Sequence, residues 1–174
     1  MKPDPVLVVI DMQAKLMPHI DNGAAVLRRC LALVKAADML DIPVLVTEQN
    51  SRGLGASVDG LIGERHCVIE KETFDATLCP DFVAALPSKE TALFVAGCEA
   101  HVCVLLTVTG LLKLGYTVEL IADAVGSRMP ENKAIALARA QREVAFPTTA
   151  ETAIFGWLGS CRHPRFRDAL TLIK

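Results

Sequence analysis

The chain has 174 residues, 52% of them apolar and 22% charged, with a formal net charge of −2. That length supports one sizeable core and falls short of two, so a single domain over residues 1–174 is expected. The balance excludes a disordered chain, and the lack of any lysine- and arginine-rich run excludes a nucleic-acid face.

The amino-terminal stretch MKPDPVLVVIDMQ has an apolar run too short for a secretion signal, broken at Asp11, so a cytoplasmic location is expected. Within it PVLVVI (5–10) has the composition of a strand buried on both faces. After Asp21-Asn22-Gly23, residues Val26, Cys30, Val34 and Ala37, with Leu27 and Leu31, recur at spacings of three and four. They predict a helix that stops at Asp41-Ile42-Pro43, because proline has no N–H to give and clashes with the preceding turn. VLVT (44–47) is the second strand, and the glycine-bearing stretch 48–66 after it reads as a long functional or mobile loop.

CVIE (67–70) and TALFVA (91–96) are the third and fourth strands. GCEAHVC (97–103) then leads into a helix expected to start between Glu99 and Cys103 and to end at Gly115. Its apolar stretch 102–112 is far shorter than the roughly 20 residues that span a bilayer, so no membrane segment is expected. TVELIA (117–122) is the fifth strand. Pro130 opens a helix that runs through Ala140, the Thr148-to-Glu151 spacing predicts a helix over 149–158, and a short one follows near 164–172.

Strands alternating with helices imply an α/β fold: parallel strands, right-handed crossovers and helices on both faces. In such folds ligands bind at the carboxyl edge of the sheet. The residues delivered there are Asp11, Glu48, Lys71, the 97–103 segment and Asp123. Cys103 has two readings. At a helix start its thiol would be shifted toward thiolate, with backbone N–H groups ready for an oxyanion; alternatively it is a small apolar residue under a helix. A nucleophile there would pass its proton to Asp11, since desolvation brings a carboxylate's proton affinity toward that of a thiol. Lys71 is either the cation that holds the two together or a solvated strand end.

His101 lies two residues from Cys103, on another side of a helix, so it reads as a structural or substrate-edge residue, while Cys98 reads as the inert end of a strand. The six cysteines show no C-x-x-C spacing, and histidines 19, 66, 101 and 163 show no paired ligand spacing, so neither a thiol-redox couple nor a metal is expected. No G-x-G-x-x-G or P-loop follows the first strand, which argues against a nucleotide-binding protein.

Six stretches together resemble the isochorismatase-like cysteine hydrolases: VLVVIDMQ (6–13), VTEQN (46–50), EKETFDA (70–76), VAGCEAHVCVLLT (95–107), DAVGSR (123–128) and TTAE (148–151). The resemblance implies a three-layer α/β/α fold with a six-stranded parallel sheet of order 3-2-1-4-5-6. It implies an Asp-Lys-Cys triad, carried here by Asp11, Lys71 and Cys103. It implies an oxyanion hole from the backbone N–H groups of Glu99 and Cys103, with a cis peptide between Cys98 and Glu99. Where the nicotinamidases of that family hold a metal through an Asp-x-His pair, this chain reads TEQNSRGLG, so no metal and no cofactor are expected. Asp75 stands where many relatives have serine or another small residue.

The expected activity is hydrolysis of an amide-like C–N bond of a small molecule through a thioester, with Gln13, Glu48, Phe74 and His101 as substrate-binding candidates. The alternative is a catalytically silent scaffold that keeps the fold for binding. Expected partners are a small-molecule substrate and further copies of the chain, as a dimer or higher homo-oligomer, with Phe155 and Trp157 on a face that packs against another subunit.

Overall fold

A computed structural model describes residues 4–173; the outermost residues of the expected 1–174 domain, 1–3 and 174, lie outside it. Six parallel strands form one sheet: β1 Pro5–Ile10, β2 Val44–Gln49, β3 Cys67–Lys71, β4 Ala92–Cys98, β5 Thr117–Gly126 and β6 Phe146–Thr148. Their order across the sheet is β3-β2-β1-β4-β5-β6, as the resemblance implies. The helices are α1 Gly23–Met39, α2 Ser51–Leu54, α3 Pro80–Ala85, α4 Leu105–Lys113, α5 Pro130–Arg142, α6 Ala150–Leu158 and α7 Phe166–Ile173.

The period-two alternation of each strand sorts its side chains between two cores. Leu7, Val9, Val44, Val46 and Cys98 face the layer made by α1, α6 and α7, which contributes Cys30, Leu33, Ile154 and Ala169. Val6, Val8, Ile10, Leu45, Ile69 and Val95 face the other layer, where Phe82 of α3, Cys103, Val108 and Leu111 around α4, and Ala136 and Ala140 of α5 pack. Helices on both faces explain why the strands read as unbroken apolar runs.

Several elements differ from the sequence-based expectation. β6 has only three residues, too few for a pattern to mark it, and it pairs with β5 over Glu119–Ile121. The stretch 48–66 is not a free loop: it holds the end of β2, the single turn α2, and a bridge between Gln13 and Ser57. α6 is capped by Thr149, whose Oγ1 accepts from the Thr152 N–H at 3.2 Å, one residue later than the Thr148 spacing suggests. Trp157 lies half-buried against the α1, α6 and α7 core, edge-on to Phe94 at 5.3 Å between ring centroids, while Phe155 beside it is exposed. No helix among the described residues is long and apolar enough to cross a membrane.

Candidate active site

The carboxyl ends of β1 and β4 meet at the centre of the sheet because Gly97 permits it. A Cβ at Gly97 would lie 2.0 Å from the Ile10 carbonyl oxygen, and its φ of 120° is open only to glycine. On the β1 side Asp11 takes a left-handed φ of 49°, a conformation that Asp tolerates better than most residues. On the β4 side the Cys98–Glu99 peptide is cis, as the resemblance implies. The chain then makes a π-helical turn, Ala100–Val104, with the Val104 N–H bonded to the Glu99 carbonyl at 3.1 Å, and continues as α4. π turns recur at functional sites.

Asp11, Lys71 and Cys103 come together. Asp11 is fully buried, Lys71 is 3% exposed and Cys103 is 7% exposed. Lys71 Nζ donates to Asp11 Oδ2 at 2.8 Å, Thr47 Oγ1 donates to Asp11 Oδ1 at 2.6 Å, and Cys103 lines the same cavity as Asp11, near enough for the charges of Asp11 and Lys71 to act on its sulfur. Burial pushes the Cys103 thiol up to about 12, the Asp11 charge adds to this, and Lys71 opposes it. Of the two readings of Cys103, desolvation and the facing carboxylates of Asp11 and Glu99 favour the buried, protonated thiol.

A cavity of about 630 Å³ opens over Asp11 and Cys103. Leu16, Leu54, Phe74 and Val102 give it apolar walls, Gln49 and Glu99 sit deeper, and Lys15, His19 and Arg128 lie at its exposed mouth. Glu99 is held by Arg128, whose Nε donates to Oε1 at 2.9 Å and whose backbone N–H donates to Oε2 at 3.1 Å. Phe74 reaches the mouth because the segment after β3 lies directly on α4. Gly110 makes room there, since a Cβ would sit 2.2 Å from Thr77 Oγ1, and the Ala76 N–H donates to Thr107 Oγ1 at 3.0 Å. Asp75 turns into this segment rather than the cavity, accepting from the Thr77 N–H at 2.8 Å.

Of the four expected substrate-binding residues, Phe74 alone lines this cavity. Glu48 is corrected to a loop anchor: it belongs to β2, one residue out of phase with Thr47 and Gln49, and its Oε1 accepts from the Ser57 N–H at 2.7 Å. Gln13 is fully buried and spans from Gln49 to Gly55 rather than facing the cavity. His101 braces the π turn through Ser127 Oγ at 3.0 Å and Asn132 Nδ2 at 3.4 Å. Asp123 likewise stops short of the edge, because β5 runs on to Gly126; its Oδ1 accepts from the Ala150 N–H at 2.8 Å. Cys98 is buried against the sulfurs of Met12 and Met17, at 3.6 and 3.9 Å.

Residues that sequence reasoning did not single out include Thr47, Gln49, Lys15, His19 and Arg128. Taking Gln49 and Gly126 as the true strand ends would have brought Gln49 and Arg128 forward; nothing in the pattern marks Lys15 or His19. Among the described residues, no group of three or more His, Cys, Asp or Glu is arranged to hold a metal ion.

The isochorismatase domain family matches residues 5–152. The chain belongs to the isochorismatase family. It is 33% identical to the human isochorismatase domain-containing protein 2 over 171 residues, covering 97% of this chain and 82% of that one. The structure of a protein described as MAR1 ribonuclease from Caenorhabditis elegans superposes with a TM-score of 0.91 at 33% identity, covering 99% of this chain and 90% of that one. The YcaC gene product of Escherichia coli, described as an octameric hydrolase of unknown specificity, shares the fold with a TM-score of 0.80 at 22% identity, over 98% of this chain and 93% of that one.

Proposed function

We propose that this isochorismatase-family chain is a cysteine hydrolase acting on an amide-like C–N bond of a small molecule. The observation that carries the reading is the Asp11 carboxylate, held by Lys71 and Thr47, lining with the Cys103 thiol the floor of one apolar-walled cavity. A thiol pushed up to about 12 stays protonated at neutral pH, so Sγ attacks as its proton passes to Asp11 rather than as a preformed thiolate. The bond from Sγ to the carbonyl carbon forms, and the oxyanion is taken by the N–H groups of Glu99 and Cys103. Collapse breaks the C–N bond, and the departing nitrogen takes the proton from Asp11 and leaves as ammonia or amine. Water then attacks the thioester, giving its proton back to Asp11, and the acid leaves as the thiol is restored. Lys71 supplies fixed positive charge beside Asp11 throughout.

The alternative, a silent scaffold using the same cavity for binding, is favoured by the high proton affinity of the thiol. Against it stands the complete set of Asp11, Lys71 and Cys103. The ribonuclease description of the C. elegans relative fits this chain less well, since the floor of the cavity carries the Asp11 and Glu99 carboxylates and the net charge is −2. Further copies of the chain are proposed partners, with exposed Ile135, Val144 and Phe146 as apolar surface for such contact, and the proposed location is cytoplasmic.

A panel of small amides and carbamoyl compounds, assayed for ammonia release beside Cys103→Ala, tests the reading, with a short oligoribonucleotide as a parallel substrate. Release by the native protein and none by Cys103→Ala supports it. Equal release by both, or cleavage of the oligoribonucleotide alone, overturns it.

A further inference from the structure

We propose that Gln49 is a positioning residue whose side-chain amide fixes the Lys71 ammonium against Asp11; the inference rests on the hydrolase reading of the Cys103 site. An ammonium has three N–H donors, and Lys71 has three acceptors: Asp11 Oδ2 at 2.8 Å, Gln49 Oε1 at 2.8 Å and the Thr73 carbonyl at 3.2 Å. With two of the three fixed by other residues, the charge on Asp11 is met along one direction. The side chain of Lys71 is sealed from solvent, so no water takes over an acceptor that is lost.

The Gln49 amide is itself locked in one orientation. Its Nε2 donates to the Glu72 carbonyl at 2.9 Å, which leaves Oε1 for the ammonium. Its backbone is clasped on both sides by Gln13, whose Oε1 accepts from the Gln49 N–H at 2.8 Å and whose Nε2 donates to the Gln49 carbonyl at 3.0 Å. Gln49 follows Thr47 on the same face of β2, so one strand supports the carboxylate through Thr47 and the ammonium through Gln49. A neutral acceptor suits this place. A carboxylate at position 49 would compete with Asp11 for the ammonium and add negative charge near the sulfur.

The charged groups facing Cys103 are Asp11, Lys71 and Glu99, with Lys15, His19 and Arg128 farther out at the cavity mouth. Of these, Lys71 is the one whose place depends on Gln49. A displaced ammonium therefore leaves the sulfur and Asp11 less compensated and raises the pH needed for reaction at Cys103.

The test is alkylation of Cys103 by iodoacetamide between pH 6 and 10, followed by peptide mass spectrometry, in the native protein, Gln49→Met and Gln49→Glu, with thermal melts as a control on folding. Ammonia release from the amide panel by the native protein, lost in Cys103→Ala, supports the hydrolase reading, and its absence in the native protein counts against that reading whatever Gln49 does. Gln49→Met is expected to displace the rate profile upward by about one pH unit, roughly tenfold slower at a given pH. Gln49→Glu is expected to displace it further, and carries the test should the methionine variant not fold. In a Lys71→Met background Gln49→Met should add no further slowing, because its effect runs through the ammonium. A native profile in both Gln49 variants, or undiminished slowing in the Lys71→Met background, overturns the inference while leaving the role of Cys103 standing.

Discussion

Lys71 Nζ lies 2.8 Å from Asp11 Oδ2 with both side chains shut away from solvent, 0% and 1% exposed. β1 and β3 are separated by β2, so the long lysine side chain reaches under a strand to make this pair. Removing one partner strands the other charge. Lys71→Met is expected to cost about 3–5 kcal/mol in urea denaturation, and Asp11→Asn combined with Lys71→Met to recover most of it. A loss below about 1 kcal/mol for the single change would mean that the pair is not closed in solution.

The pH dependence of stability follows from three buried thiols, Cys30, Cys98 and Cys103, each raised chiefly by burial. Cys98 and Cys103 are both pushed up to about 12 from an ordinary 9.0, chiefly by burial. The folded state holds these protons more tightly than the unfolded one, so their contribution to stability is complete below pH 9 and is lost as the pH rises from 9 toward 12. The melting temperature should fall across that window, and the fall should be shallower in Cys98→Ala. An equal slope in both proteins would contradict the assignment.

Gly97→Ala should fail at the meeting point of β1 and β4. Its Cβ would intrude to 2.0 Å from the Ile10 carbonyl oxygen at a φ that alanine resists, so a loss above about 4 kcal/mol is expected in chemical denaturation. Retention of native stability would show that the strand ends are not in this register.

Phe74 is 58% exposed at the mouth of the cavity, so Phe74→Ala should change stability by less than about 1 kcal/mol. Its effect should fall on substrate: KM for an active amide rises by about threefold or more while kcat holds, as expected when binding common to ground and transition states is lost. An unchanged KM would remove Phe74 from the binding surface.

Glu48 distinguishes an anchor from a ligand-binding residue. Glu48→Ala releases the Ser57 N–H and should speed limited proteolysis within residues 50–60, while the pH profile of Cys103 alkylation stays in place. Slower alkylation with unchanged proteolysis would return Glu48 to the site.

Much of the site was legible from the rule that parallel strands deliver their carboxyl ends to one edge. Asp11, Lys71 and Cys103 follow directly from where β1 and β3 stop and where α4 is approached. The same rule misplaced Glu48 and Asp123 because strand ends were set too early. β2 continues to Gln49 and β5 to Gly126, and a shift of one residue turns a side chain to the opposite face. In β5 the pairing with β4 also jumps between Val95 and Gly97, an irregularity that no local pattern announces.

The apolar period by itself determined the alternation of strands and helices, and with it a parallel sheet whose reactive residues gather at one edge, since that period is a local property of consecutive side chains. Tertiary structure alone decided which face of β2 looks onto Cys103, that β6 is confined to Phe146–Thr148, and that burial pushes the thiol up. Those outcomes depend on desolvation and on charges brought together from Asp11, Lys71 and Glu99, and such terms arise only when residues distant along the chain exclude water from one another.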